Sequence, residues 1–391
     1  MPSGGLLQPP PVHAVPRWET EDVFFDGDAF FDAMIEAIGS ARRSVTLEAY
    51  IFAWDTLGRR VATALAEAAG RGLSVRVVVD SLGSRLSKGP LLRALEGTGA
   101  ECRVYHQFSW ERVPSAKGRR PHSLLRLLAD ANRRNHRKVC VTDGETAFVG
   151  GMNVWDVHLR SVHGDAAWAD AGVRLRGAGV QVLAAAFERI WPTRMVRDAW
   201  ARRGPGVGRR RSDHPLVRLN DSRRRRRRAY RELLERLDQA RTCIWLATAY
   251  FAPTLAFRRT LKEAASRGVD VRILLPQRSD VFFMPWAARA LSASLLSAGV
   301  RVFEYLPSIL HAKVTIVDGE VTLGSSNLNS RSLVHDLEVD VILTSEPTRW
   351  AVTRHFLKCL EVSRELHATD EPLPWWQRLV GRILLTFRHW L

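Results

Sequence analysis

The most constraining feature of this sequence is an internal repeat. RGLSVRVVVD at 71–80 parallels RGVDVRILLP at 267–276, and TLEAYIF at 46–52 parallels LATAYFA at 246–252. Each copy has a helix end, a Gly and a buried strand, and such strands alternate with helical patterns through both halves. The repeat predicts an α/β fold of two related domains, each with a mostly parallel or mixed sheet flanked by helices.

A second repeated element carries chemistry. HRKVCVTDGETAFVGGMN and HAKVTIVDGEVTLGSSN each contain His-x-Lys-x4-Asp. Phosphate chemistry needs a nucleophile that can exchange a proton and a cation held against the phosphoryl oxygens. A His and a Lys two positions apart on a strand place both on one face. The candidate catalytic residues are therefore His136, Lys138, Asp143, His311, Lys313 and Asp318.

Lysine usage strengthens this prediction. Only six of the 58 basic residues are Lys, so 52 are Arg, yet both motifs hold a Lys at the same place. A compact ammonium does not substitute for a planar guanidinium in a tight site.

The turn dipeptides assign further roles. Asp-Gly in both copies predicts two-residue hairpin loops, which would place His136 opposite Gly151 and His311 opposite Ser326. Each His would then lie near an Asn, and small residues would let a phosphate approach the backbone. We expect the two Asp residues to shape the turns. The supporting residues from this count are Asn153, Asn327, Gly151 and Ser325.

The sequence resembles the phospholipase D superfamily. The resemblance lies in these two motifs and in the segments SVTLEAYIF, WADAGVRLRG, ATAYFAP, GSSNLNSRS and LEVDVIL. Within it the sequence is similar to bacterial cardiolipin synthases of the B type, which lack N-terminal membrane spans. The resemblance runs from about residue 20 to the C-terminus. It implies two pseudo-symmetric domains with both motifs in one cleft. Asn329 and Asp336 depart from the residues usual in the family.

The resemblance also implies an activity. A phosphatidyl group would pass from phosphatidylglycerol, or from phosphatidylethanolamine, to a second glycerol-bearing lipid, which forms cardiolipin. We interpret His136 as the nucleophile of a covalent phosphohistidine and His311 as the acid. Asp170 and Glu338 would orient the imidazoles. No metal and no cofactor are expected.

Two alternatives use the same residues. A phospholipase D-type hydrolase would differ only in taking water as the acceptor, and a nuclease would cleave a nucleic-acid backbone. The sequence shows no recognised DNA-binding motif, which favours the interpretation that the substrate is a lipid. The ten other histidines, including His158, lack the motif context, and we expect them to be surface or core residues.

Composition suggests the partner and the location. The formal net charge of +17 favours an anionic partner such as a phospholipid membrane surface. The four Cys fit no metal-ligand spacing and indicate reduced thiols. No signal peptide and no membrane span is evident. We therefore expect a peripheral protein on the cytoplasmic face of the bacterial inner membrane; the sequence leaves its oligomeric state open.

The predicted organisation has five parts. A flexible segment at 1–16 precedes the first domain at 17–200, a basic linker at 201–228, the second domain at 229–370 and an amphipathic helix at 371–391. Six consecutive Arg at 223–228 lie in the linker. The C-terminal segment has helical apolar spacing with Arg between and Trp at its ends, typical of an interfacial helix. Its candidate membrane-binding residues are Trp375, Trp376, Arg378, Arg382, Phe387 and Trp390.

Overall fold

The computed structural model describes residues 16–105, 134–191 and 214–367, together with positions 374 and 380. These residues form two mixed sheets, one of seven strands and one of eight, each accompanied by helices. Each sheet belongs to one half of the sequence. The predicted α/β architecture of two domains is confirmed.

The first half builds the seven-stranded sheet in the order β1-β7-β6-β5-β2-β3-β4. Its strands are β1 (Thr20–Phe24), β2 (Ser44–Ala49), β3 (Ser74–Asp80), β4 (Glu101–Tyr105), β5 (Val139–Thr142), β6 (Thr146–Gly150) and β7 (Gly172–Arg176). Its helices are α1 (Gly27–Ser40), α2 (Thr56–Gly70), α3 (Lys88–Leu95), α4 (Arg160–His163) and α5 (Gly179–Ile190).

The second half builds the eight-stranded sheet in the order β15-β11-β10-β9-β12-β13-β14-β8. Its strands are β8 (Val217–Leu219), β9 (Cys243–Ala247), β10 (Asp270–Pro276), β11 (Arg301–Tyr305), β12 (Val314–Val317), β13 (Glu320–Gly324), β14 (Val339–Leu343) and β15 (Ser363–Leu366). Its helices are α6 (Arg223–Asp238), α7 (Leu255–Ser266), α8 (Met284–Leu296), α9 (Ser330–Val334) and α10 (Glu346–Glu361).

The repeated Arg-Gly segments lie at the same place in both sheets. Gly72 follows α2 with φ +87° and Gly268 follows α7 with φ +89°, a conformation that favours glycine. The strands that follow, β3 and β10, each pair in parallel with two neighbours. Their near-continuous apolar runs are buried, as expected for central parallel strands.

The two motif hairpins differ in register. In the second, Val317 pairs with Glu320, which leaves the predicted two-residue loop. In the first, Thr142 pairs with Thr146, so the loop is one residue longer than predicted. Extended back to His136, this register places it opposite the residue that follows Gly151 and not opposite Gly151 itself. The prediction failed here because an extra loop residue shifts the pairing without changing the Asp-Gly turn.

One of the large hydrophobic core clusters is shared by the two halves, while each half also has a cluster of its own. Val141 and Val173 of the first sheet belong to the same buried cluster as Leu323 and Val339 of the second. Two short parallel bridges also join the halves, one between Asn135 and Leu337 and one between Ala169 and Leu310. Because these bridges precede the candidate catalytic residues, they set where those residues meet.

The predicted linker is only partly a linker. Residues 217–219 form β8, which pairs with β14, and the arginines at 223–228 form the first turns of α6. Ser222 caps this helix by accepting a hydrogen bond from Arg225 N–H at 3.2 Å. Ion pairs to carboxylates one turn away explain why an Arg-rich segment forms a helix here.

Several predicted segments lie outside the described residues. These are most of the N-terminal segment, residues 106–133 and 192–200 of the predicted first domain, the 201–213 part of the linker, and the six candidate membrane-binding residues of the predicted C-terminal helix.

Candidate active site

His136 lies three residues before β5, and its backbone position is set by the other half of the protein. Its N–H donates to the Leu337 carbonyl oxygen at 3.0 Å. Strand β5 runs antiparallel to β2, so its start lies beside the carboxyl ends of the parallel strands, where α/β proteins commonly bind ligands.

The His136 ring has a defined tautomer. Its Nδ1 lies 3.1 Å from Glu338 Oε2 and 3.2 Å from the Ser325 carbonyl oxygen. Both of these atoms accept hydrogen bonds, so Nδ1 carries the proton. Nε2 is then left with a lone pair, which is the state required of a nucleophile.

His311 is held in a matching way by the first half. Its N–H donates to the Ala169 carbonyl oxygen at 2.7 Å, and its Nδ1 lies 2.7 Å from Asp170 Oδ2. Lys313 Nζ lies 2.8 Å from the same Nδ1. A single proton on Nδ1 cannot serve both groups. We assign the proton to the bond with Asp170, because the ammonium also donates to the His311 carbonyl oxygen.

The carboxylates are thus exchanged between the halves. Glu338 of the second half contacts His136, and Asp170 of the first half contacts His311. The sequence predicted that these two acids orient the imidazoles, but it did not indicate which acid serves which ring.

Both imidazoles line one cavity of about 340 Å³. Its wall combines polar groups with apolar and aromatic side chains, and two of the aromatic rings lie beside the imidazoles, with ring centroids 4.8 Å apart for Tyr50 and His136 and 5.4 Å apart for Trp168 and His311. The lining includes His136, His311, Asn153, Asn327, Tyr50, Tyr250, Trp168, Phe283 and Met284.

The two motif lysines are buried beside the imidazoles. Lys138 Nζ donates to the His136 carbonyl oxygen at 2.7 Å. Burial lowers the pKa of Lys138 to about 7 and that of Lys313 to about 8. Burial and the two nearby ammoniums also hold the pKa of His136 well below its usual value. The same causes, burial first and then Lys313, lower the pKa of His311.

The two motif asparagines reach the cavity. Asn153 Oδ1 accepts a hydrogen bond from Ile51 N–H at 3.2 Å, which leaves its amide NH₂ as a donor. Asn327 Oδ1 is buried and has no hydrogen-bond partner among the described residues. Each side chain lines the cavity that contains both imidazoles.

Gly151 and Ser325 have a different place from the one predicted. Neither lines the cavity. A Cβ at Gly151 would lie 2.2 Å from Asp170 Oδ1, and Ser325 Oγ donates to Glu338 at 2.5 Å. The small residues therefore make room for the two carboxylates rather than for a phosphate, because the return strands β6 and β13 pair with β7 and β14, which begin just after the acids.

The motif aspartates lie at the far ends of the hairpins. Asp143, with φ +56°, accepts hydrogen bonds from the backbone N–H groups of Arg42, Arg43 and Ser44. Asp318, with φ +49°, binds the N–H groups of residues 241–243 in the same way. Each Asp therefore ties its turn to the start of the neighbouring central strand.

Sequence reasoning missed two residues behind the carboxylates. Asn153 N–H donates to His158 Nε2 at 3.2 Å, and Asn327 N–H donates to Ser332 Oγ at 2.9 Å. Both acceptors are buried and lie five residues after a motif Asn. His158 is thus neither a surface residue nor an ordinary core residue, because it faces Asp170. The equal spacing from the two asparagines was the signal that could have found the pair.

Asp336 and Asn329 were noted as departures from the family pattern. Asp336 accepts a hydrogen bond from Arg134 N–H at 3.0 Å and pairs with Arg331 Nε at 3.0 Å. Asn329 caps α9 by accepting from Ser332 N–H at 2.8 Å. An Asp would make the same cap, so this departure leaves the local structure intact.

The chain matches a family described as cardiolipin synthase, PLD-like domain, over residues 34–191 and 233–360. These two segments cover more than half of the chain and include both hairpin motifs. The chain belongs to this family. The predicted family and the predicted class of enzyme, a phospholipase D-type phosphatidyltransferase, are confirmed.

Individual members show the same relationship. A cardiolipin synthase of Staphylococcus aureus is 30% identical over 348 residues, which cover 88% of this chain and 68% of the relative. A cardiolipin synthase of Clostridium perfringens is 27% identical over 366 residues, covering 87% and 70%.

A solved structure shows the same fold. The phosphatidylserine synthase of Haemophilus influenzae superposes with a TM-score of 0.65 at 15% identity, covering 95% of this chain and 96% of that one. Within the described residues, no helix combines the length and the apolar character needed to cross a bilayer.

Proposed function

We propose that this protein forms cardiolipin by transferring a phosphatidyl group from phosphatidylglycerol to the hydroxyl of a second glycerol-bearing lipid. Phosphatidylethanolamine is the alternative donor. The observation that carries this proposal is the pair of imidazoles, each held at Nδ1 by a carboxylate of the opposite half, in the wall of one cavity.

In the first step, His136 Nε2 attacks the phosphorus. The bond from phosphorus to the glycerol oxygen breaks, and His311 donates a proton to that oxygen. The products are a covalent phosphohistidine and free glycerol. The exchanged carboxylates support this scheme, because a proton held on Nδ1 leaves Nε2 of each ring for chemistry.

In the second step, His311 takes the proton of the acceptor hydroxyl. The acceptor oxygen attacks phosphorus, the bond between phosphorus and His136 Nε2 breaks, and cardiolipin leaves. Lys138, Lys313, Asn153 and Asn327 hold the phosphoryl oxygens as negative charge develops. Protein cations supply this stabilisation, so the scheme includes no metal and no cofactor.

The protonation states explain how the cycle starts. Burial keeps both imidazoles neutral in the free protein, which suits the attacking His136. His311 must gain a proton before it can act as an acid. The phosphodiester brings a negative charge into the cavity and raises the affinity of His311 for that proton.

The partner proposed for the protein is an anionic phospholipid membrane. The loops after β3 and β10 lie at the same edge as the cavity, and Gly83 and Val281 in these loops line it. The same loops expose Leu86 and Phe282, which are 94% and 70% accessible. Exposed apolar side chains on loops that line the cavity fit a lipid interface. The location proposed is peripheral, on the cytoplasmic face of the bacterial inner membrane.

The test is to incubate the purified protein with phosphatidylglycerol vesicles and, separately, with plasmid DNA. Cardiolipin and glycerol are the expected products, and His136→Ala should abolish both. Phosphatidic acid as the main product would instead identify a hydrolase, and DNA nicking without lipid turnover would identify a nuclease.

A further inference from the structure

His158 is a buried residue whose two ring nitrogens have different surroundings. It is 1% accessible, and its Nε2 accepts a hydrogen bond from Asn153 N–H at 3.2 Å. Its Nδ1 is buried without a hydrogen-bond partner among the described residues and lies 4.0 Å from Asp170 Oδ2.

The contact with Asn153 decides the tautomer of His158. A backbone N–H can only donate, so Nε2 must offer a lone pair and the ring proton must lie on Nδ1. Burial lowers the pKa of His158 to about 3, which keeps the ring neutral at physiological pH. The result is an N–H group whose nitrogen lies 4.0 Å from the carboxylate that holds His311.

The second half contains a counterpart. Ser332 occupies the same position relative to its Asn, and its hydroxyl donates to Glu338 Oε1. In both halves, therefore, the backbone N–H of the motif Asn fixes a side chain that faces the carboxylate of that half. The first half uses a longer imidazole where the second uses a hydroxyl.

We propose that His158 is a positioning residue that donates its Nδ1–H to Asp170 and so directs this carboxylate to His311. The 4.0 Å separation makes the interaction electrostatic in the free chain, and such bonds commonly shorten when substrate binds. The inference rests on the proposed function only in taking His311 as the proton donor.

A metal site is the competing explanation for this cluster. Ligand atoms of His158, Asp170 and His311 lie within 4.8 Å of one another. Binding at His158 Nδ1 would move the ring proton to Nε2, where it would oppose Asn153 N–H. Lys313 Nζ also lies 2.8 Å from His311 Nδ1 and would repel a cation. The donor set therefore does not fit a metal ion.

The kinetic test compares His158→Phe with His158→Asn. Phe keeps an aromatic ring, somewhat larger than imidazole, without any nitrogen, whereas the Asn amide can replace the Nδ1–H donor. We expect Phe to lower kcat for cardiolipin formation roughly 10- to 100-fold with little change in KM, and Asn to restore part of the loss. Equal losses in both variants, or a change in KM alone, would overturn the proposal.

A substrate with a good leaving group separates positioning from a structural role. Nitrophenolate released from phosphatidyl-p-nitrophenol needs no proton, so its first-turnover burst should stay within about 3-fold of wild type in His158→Phe. An equally large loss in the burst would show that His158 supports the fold of the site and not the Asp170–His311 pair.

A substrate-free measurement keeps the two proposals distinguishable. In ¹⁵N-histidine-labelled protein, the His311 Nδ1–H signal should shift in His158→Phe and return towards wild type in His158→Asn. If this signal is the same in wild type and in both variants while the wild-type protein makes cardiolipin, this inference is wrong and the proposed function stands. The expected shift in a protein that makes no cardiolipin would leave the inference standing and reject the proposed function.

Discussion

Glu338 Oε2 lies 3.1 Å from His136 Nδ1, although the two residues belong to different halves of the chain and are separated by 202 positions. The same exchange joins Asp170 and His311 at 2.7 Å. Neither imidazole is therefore complete within its own domain. Each half supplies one imidazole and one carboxylate, and packing of the two halves brings each imidazole into contact with the carboxylate of the other half.

Replacing Glu338 by Gln should separate catalysis from folding. The Gln amide oxygen can still accept a hydrogen bond from His136 Nδ1, but the neutral amide cannot stabilise a positive charge on that imidazole. We therefore expect kcat to fall roughly 10²- to 10⁴-fold. Cardiolipin formation from phosphatidylglycerol vesicles measures this. Asp340→Asn is the matched control, because this acid lies two residues away and contacts Ser326. Similar losses in both variants would contradict the assigned role.

Replacing His311 by Ala should trap the covalent intermediate. With phosphatidyl-p-nitrophenol the first step needs no acid, while the second step lacks its base. We expect an adduct on the peptide that contains His136, stable in base and labile in acid, by mass spectrometry. His136→Ala should show none. An adduct on the His311 peptide in the His136→Ala variant would reverse the two roles.

Replacing Gly151 by Ala should displace Asp170. The new Cβ would lie 2.2 Å from Asp170 Oδ1, and a shift of about 1 Å in a positioning group can cost about 100-fold in rate. Gly39→Ala is the control, since a Cβ there meets no atom within 4 Å. Unchanged kcat in folded Gly151→Ala would refute this account of the small residue.

Lys138 should make stability depend on pH. Its folded pKa of about 7 lies below the ordinary 10.5, so between these values the unfolded chain binds more protons than the folded one. Stability therefore rises with pH across that window. Lys138→Met should flatten the rise and stabilise the protein at pH 7, by up to about 4 kcal/mol, while abolishing activity.

Urea unfolding at pH 7, 8 and 9 measures this slope, with Lys262→Met on α7 as the control. Identical slopes in wild type and Lys138→Met would show that the buried ammonium does not control the dependence.

The exposed loops at the cavity edge should bind lipid. Leu86→Asp combined with Phe282→Asp should weaken binding to anionic vesicles about 10-fold or more. Each substitution removes a large apolar side chain that the membrane would bury. Turnover of a short-chain monomeric substrate should be retained. Trp350→Asp on α10 is a control of similar exposure, 61%. Equal effects in the control would show that the loops have no special part in lipid binding.

The sequence by itself determined the family, the α/β fold and the residues of the two motifs, because the motifs combine strand periodicity with turn dipeptides. Local pattern also indicated that Asp143 and Asp318 belong to turns. It could not give the register of the first hairpin, where one added loop residue changed the pairing, nor the helix formed by the arginines at 223–228.

Only the tertiary structure decided which acid serves which imidazole, where Gly151 and Ser325 lie, and that His158 faces Asp170. These relationships join residues far apart in the chain through bridges such as Asn135 with Leu337. Periodicity describes the face on which a side chain lies within its own element. The partner across an interface depends on how two sheets pack, and that is set by the shared core.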